Sequence, residues 1–114
     1  MATRDLETLA NHTISKSGLS PEELARELAA LGSRWTVVPP DLRLVLPGAM
    51  TRTGVVAAHA GALADELDHH PTILLEYAGL TLSIHTHDAK ALTVIDLIFA
   101  ARLEQWLRAN GWPV

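Results

Sequence analysis

Three stretches of the chain repeat apolar residues at the spacing of a helix with one buried face. They cover about residues 21–31, 50–67 and 94–109. The segment Ser20-Pro21-Glu22-Glu23 combines a capping hydroxyl, a proline at the first helical position and a glutamate at the third, which is typical of a helix start. Gly32 is expected to end this helix. A second capping box, Thr93-Val94-Ile95-Asp96, predicts the start of the last helix.

Four β-prone stretches lie between these helices, at about residues 35–38, 42–46, 72–77 and 80–87. Pro39-Pro40-Asp41 separates the first two and Ala78-Gly79 separates the last two, so we predict two hairpins. In the last strand, Leu80, Leu82 and Ile84 would face the core. Because successive strand side chains point to opposite faces, four polar residues are expected together on the other face: Thr81, Ser83, His85 and His87.

The predicted order of elements is α-β-β-α-β-β-α. This order predicts an α+β fold, a two-layer sandwich in which a four-stranded antiparallel sheet carries three helices on one face. Residues 1–19 show no sustained period and are expected to be an N-terminal tail or a short appended element. The folded domain is therefore predicted to span residues 20–114.

Composition narrows the class of protein further. A chain of 114 residues, 48% hydrophobic and 19% charged, can bury one core. Its formal net charge is −4 and its basic residues are scattered, which argues against a nucleic-acid partner. The absence of cysteine excludes disulfides, thiolate metal sites and thiol nucleophiles. No apolar run approaches the ~18 residues of a membrane span and the N-terminus lacks a signal pattern, so we expect a cytoplasmic protein without membrane contact.

Two histidine clusters carry the candidate chemistry. The segment 64–71 places His69 and His70 beside three carboxylates at the end of the second helix, which Pro71 stops. His85-Thr86-His87-Asp88 follows after one hairpin. Histidine can donate or accept a proton near neutral pH. We therefore predict that the two clusters form one acid–base site.

Three other interpretations compete with acid–base chemistry. The clusters could be a solvated helix end and a polar strand face, and we interpret His12 and His59, outside them, as ordinary surface or helix residues. A metal could bind His85 and His87, but their spacing matches no established ligand pattern. The adjacent His69 and His70 do not readily chelate one ion either. Covalent catalysis lacks a nucleophile in a suitable motif. Proton transfer remains, which indicates a lyase or isomerase without naming its substrate.

The sequence resembles the pterin-4a-carbinolamine dehydratase family over about residues 20–107. Five features carry the resemblance: Asp65, His69-His70-Pro71, Tyr77, Thr86-His87-Asp88 and Asp96. The chain departs from the family pattern at Leu75, at Ala91 and in residues 42–50, which contain no aromatic residue. His85 stands where a small hydroxyl residue is common, and we interpret it as part of a polar strand face rather than as a pocket residue.

The resemblance implies dehydration of 4a-hydroxytetrahydropterin to quinonoid dihydropterin, which recycles the pterin of an aromatic amino-acid hydroxylase. It implies that His69, His70 and His87 are catalytic. It also implies four residues that bind the substrate or orient the imidazoles: Asp65, Asp68, Thr86 and Asp96. No metal and no organic cofactor are expected. A homodimer is expected and a tetramer is possible.

A second class of function is a dimeric protein-binding or assembly module of the same fold, without a catalytic role. An open edge of the predicted sheet could pair with another chain. The three family histidines favour the enzyme, because a pure scaffold has no need of them.

Overall fold

The computed structural model describes residues 5–113, and within them eight helices and strands follow one another. These are α1 (Leu6–Ala10), α2 (Pro21–Leu31), β1 (Trp35–Val38), β2 (Asp41–Pro47), α3 (Met50–Leu67), β3 (Thr72–Glu76), β4 (Gly79–Ile84) and α4 (Val94–Ala109). The predicted order α-β-β-α-β-β-α is confirmed from α2 onward. Among the described residues, no helix is long and apolar enough to cross a membrane.

The four strands form one antiparallel sheet in the order β1-β2-β4-β3. Trp35 of β1 and Leu82 of β4 both lie opposite Leu44 of β2, so these three side chains share the face that the helices cover. Residues of the other face, such as Val45 and Thr81, are exposed or half-buried. The predicted α+β sandwich is confirmed, and its core lies between one sheet face and the helices.

Helix α2 begins and ends where the sequence pattern predicts. The Ser20 Oγ accepts the backbone N–H of Glu23 at 3.1 Å, and the Glu23 carboxylate accepts the backbone N–H of Ser20 at 3.0 Å. Pro21 opens the helix, and Gly32 ends it with a φ of +97°. That φ favours glycine, because a Cβ at such angles is strained.

The N-terminal segment contains one short helix packed against the domain. Leu9 of α1 is buried in the core, and Arg102 of α4 donates from Nε to the Ala10 carbonyl at 2.9 Å. Farther along, the Val94 N–H donates to the carbonyl of Ser17 at 3.1 Å. Residues 5–18 therefore contact the start and the middle of α4, and the domain boundary after residue 19 stays a prediction.

A buried carboxylate joins β1 to α4. Glu104 is 1% exposed and accepts the indole N–H of Trp35 at 2.9 Å. Arg34 adds two hydrogen bonds of 2.7 and 3.1 Å, and Arg108 adds one of 2.7 Å from its Nε. Both carboxylate oxygens are thus fully paired, as a buried charge requires.

A stacked pair of rings lies where α3 packs on α4. The imidazole of His59 stacks on the Trp106 indole with a centroid distance of 4.4 Å and an angle of 10° between the ring planes. Burial lowers the pKa of His59 from its ordinary value of 6.5, and the nearby Glu66 carboxylate opposes that shift. The neutral ring therefore suits the folded state better than the charged one.

This shift predicts a loss of stability in mild acid. As pH falls through 6.5, the unfolded chain protonates His59 before the folded chain does, so the free energy of unfolding decreases. We expect the His59→Phe variant, which keeps the stack but cannot titrate, to lose less stability between pH 7.5 and 5.5. Urea unfolding of both proteins at the two pH values measures the difference. Equal losses would contradict the prediction.

Candidate active site

The end of α3 directs two adjacent histidines to different environments. Asp68 adopts a left-handed conformation with a φ of +50°, and the His69 N–H returns to the Ala64 carbonyl at 3.0 Å. This turn ends the helix. The His69 side chain is 8% exposed, whereas that of His70 is 57% exposed.

His69 binds a fully buried carboxylate. Its Nε2 lies 2.6 Å from Asp96 Oδ1, at the third residue of α4. The other oxygen, Asp96 Oδ2, accepts the Thr86 hydroxyl at 2.8 Å and the Thr93 N–H at 2.9 Å. The Thr86 and Thr93 hydroxyls are themselves 2.7 Å apart. This network fixes His69 against the start of α4 and the chain after β4.

The bond to Asp96 determines which nitrogen of His69 is free. A carboxylate can only accept, so the hydrogen of this bond belongs to Nε2 of His69. Nδ1 of His69 makes no hydrogen bond within the described residues and is slightly exposed to solvent. It is therefore the nitrogen available to exchange a proton with a bound molecule.

His70 forms a similar but exposed pair. Its Nε2 lies 2.9 Å from Oδ1 of Asp65, two residues before the end of α3, and the Asp65 side chain is 82% exposed. Water screens such a pair, so it orients the ring more than it stabilises the fold. The free Nδ1 of His70 is again available for proton exchange.

The predicted length of β4 is wrong, because the strand ends at Ile84 and not at His87. The last position at which β4 pairs with β2 is Ile84, opposite Leu42. Beyond it, the Thr86 hydroxyl turns inward to Asp96, and Thr86 pairs instead with Ala91 of the following loop. His87 starts a turn that the Lys90 N–H closes on the His87 carbonyl at 3.1 Å.

His85 and His87 still lie together, as expected for alternate residues. Their ring centroids are 4.4 Å apart and their planes make an angle of 65°. Nδ1 of His85 also lies 2.8 Å from Oδ1 of Asp41. The interpretation of His85 as part of a polar strand face did not include this contact with Asp41.

The structure brings some of the predicted site residues together and separates others. Thr86, Asp96 and His69 form one hydrogen-bonded chain, and His87 follows Thr86 directly. Thr86 and Asp96 are buried, so here they orient His69, and a contact with substrate stays a prediction for both. Asp68 is exposed and makes no side-chain hydrogen bond within the described residues.

Sequence reasoning missed two participants, Thr93 and Asp41. The sequence pattern predicts Thr93 as a helix cap but not as a partner of the site. The pattern places Asp41 in a turn, and Asp41 contacts His85 because β2 lies beside β4 in the sheet. Knowledge of the strand order would have predicted the contact between Asp41 and His85. Within residues 5–113, no group of three or more histidine, cysteine or acidic residues is arranged to hold a metal ion.

The sequence matches one family of known proteins. The profile of the family "Pterin 4 alpha carbinolamine dehydratase" matches residues 17–106. A Streptomyces coelicolor protein named for this dehydratase is 33% identical over 95 residues, which cover 82% of this chain and 93% of that protein. A Microcystis aeruginosa protein of the same name is 31% identical over 104 residues, covering 84% and 89% of the two chains.

A solved structure has the same fold. It is a crystal structure from Brucella melitensis described as a transcriptional coactivator/pterin dehydratase. The TM-score is 0.69 at 23% identity, over 76% of this chain and 95% of that one. The family profile and the two relatives together show that the chain belongs to the pterin-4a-carbinolamine dehydratase family.

Proposed function

We propose that this protein dehydrates 4a-hydroxytetrahydropterin to quinonoid dihydropterin by histidine acid–base catalysis. The observation that carries the proposal is the His69–Asp96 pair, in which a buried carboxylate fixes the ring and leaves Nδ1 free at the surface. Such a ring is oriented and can still exchange a proton, which general acid–base catalysis requires. Family membership supplies the substrate class.

The reaction needs two proton transfers and no change of oxidation state. An acid protonates the 4a-hydroxyl group, whose C–O bond breaks to release water. A base removes the proton on N5, and the electron pair of that N–H bond forms the new C4a=N5 double bond. We assign the two transfers to His69, His70 and His87, with Asp96 and Asp65 holding the first two rings.

Several finer features belong to the same proposal. We expect the reaction to recycle pterin for an aromatic amino-acid hydroxylase in the cytoplasm, and we expect the protein to work as a homodimer. Asp68 remains a proposed substrate contact because it is exposed beside both histidines at the end of α3. No metal or organic cofactor enters the proposed reaction.

A protein-binding module is the second candidate, and one observation favours it. The open face and the β3 edge of the sheet expose large apolar side chains, including Val45 at 52%, Leu74 at 51% and Tyr77 at 97%. Exposed apolar surface of this kind marks interaction sites in many proteins. Such a role would not depend on the histidines, so histidine variants separate the two candidates.

Replacement of His70 tests the proposed chemistry without disturbing the core. We expect His70→Ala to slow the decay of enzymatically generated 4a-hydroxytetrahydropterin, followed by ultraviolet absorbance, by about 10²-fold in kcat. His70 is exposed, so its loss should leave the fold intact. The matched control is His12→Ala, because His12 hydrogen-bonds only locally, to the Thr13 carbonyl at 2.8 Å. Equal activity of the two variants would remove His70 from the mechanism.

A further inference from the structure

The imidazole of His85 lies between a carboxylate and the His87 ring. Its Nδ1–H donates to Asp41 Oδ1 at 2.8 Å, and the side chains of Asp41 and His85 are each 24% exposed. The rings of His85 and His87 meet edge to face at a centroid distance of 4.4 Å. This arrangement links Asp41 to His87 through one ring.

The sheet holds this link in place from both strands. Leu42 of β2 pairs with Ile84 of β4, so Asp41 at the start of β2 and His85 just after β4 come next in the same register. Side chains alternate along strands, so both point to the open face of the sheet. The following residue, Thr86, is held inward by its bond to Asp96. The backbone on either side of His85 is therefore fixed.

Within the described residues, no carboxylate binds the His87 ring directly. His69 and His70 each bind a carboxylate directly, whereas the exposed His87 side chain makes no hydrogen bond within the described residues. Its ring contact with His85 is the interaction that restrains it. The third histidine of the proposed mechanism is thus supported by another histidine instead of by a carboxylate.

We propose that Asp41 and His85 are positioning residues that hold the His87 imidazole in line for proton transfer. This inference rests on the dehydration proposed above. A small hydroxyl residue at position 85 would have no ring to offer His87. Without that ring, the His87 side chain regains rotamer freedom, and misoriented groups transfer protons slowly.

A double-mutant cycle tests this role. We expect His85→Ser to lower kcat about tenfold with little change in KM, because the change affects orientation of one ring and not binding of the pterin. In a His87→Ala background the same substitution should change kcat less than about twofold, since the ring on which it acts is gone. Asp41→Asn, which weakens the anchor of His85, should show a smaller loss with the same dependence on His87.

An NMR measurement tests the position of the His87 ring directly. Proton–carbon NMR of the histidine rings should show a His87 signal that loses its distinct environment in His85→Ser and keeps it in the matched control His12→Ser. Equal losses of kcat in both backgrounds, or an unchanged His87 signal, would overturn the positioning role while leaving the dehydratase intact. A folded wild-type protein that fails to accelerate the reaction would instead overturn the proposed function together with this role.

Discussion

The Asp96→Asn variant is expected to lose about 3 kcal/mol of stability and at least about 10²-fold in kcat. The buried carboxylate accepts hydrogen bonds from His69, Thr86 and Thr93 on its two oxygens. An amide has a single acceptor oxygen, so its NH₂ group must face at least one donor and leave it unpaired. The same change frees the His69 ring to take the wrong tautomer.

Asp65→Asn is the matched control, because it makes the same chemical change in an exposed histidine–aspartate pair. Exposed pairs contribute little, so we expect this variant to lose less than about 1 kcal/mol. Urea unfolding followed by circular dichroism measures both stabilities, and the absorbance assay measures the rates. An Asp96→Asn protein as stable as Asp65→Asn would show that the buried network does not hold the site together.

The second large effect is expected at Glu104, which lies farther along α4 than Asp96. Glu104→Ala leaves the Nε–H groups of Arg34 and Arg108 and the buried indole N–H of Trp35 without their acceptor. Removal of one member of a buried ionic network typically costs about 3–5 kcal/mol. We expect the urea midpoint to fall accordingly.

The activity of folded Glu104→Ala should nevertheless be retained. Glu104 lies eight residues after Asp96 on α4, which corresponds to about 12 Å along the helix. Glu66→Ala is the control for stability, because Glu66 is 68% exposed and its closest approach to Arg102 is 3.6 Å. A loss no greater than that of the control would contradict the assigned role of the network.

Helices α2, α3 and α4 could be predicted from the sequence because their signals are local, whereas the short α1 was not predicted. Ser20 and Glu23 cap α2 within four residues. Apolar periodicity predicts α3, and Pro71 shortly after it prevents the helix from continuing. The same is true of the two hairpins, whose turns contain proline or glycine. Each of these features depends on residues close together in the chain, so one sequence is enough to read them.

The end of β4 and the partners of the histidines depend on contacts distant in the chain. β4 ends at Ile84, the last residue that pairs with β2, opposite Leu42, and the alternating pattern of residues 80–87 carries no information on that pairing. The contact of Asp41 with His85 has the same origin. The family resemblance identifies Asp96 as a site residue, but it does not predict that Asp96 is buried and pairs with His69.

The most direct test is the decay rate of enzymatically generated 4a-hydroxytetrahydropterin with and without the wild-type protein. We expect acceleration over the spontaneous reaction that survives treatment with a chelator and returns to the spontaneous rate in a folded variant lacking His69, His70 and His87. Wild-type protein that is folded, as shown by circular dichroism, and yet leaves the spontaneous rate unchanged would contradict the dehydratase and favour the protein-binding module.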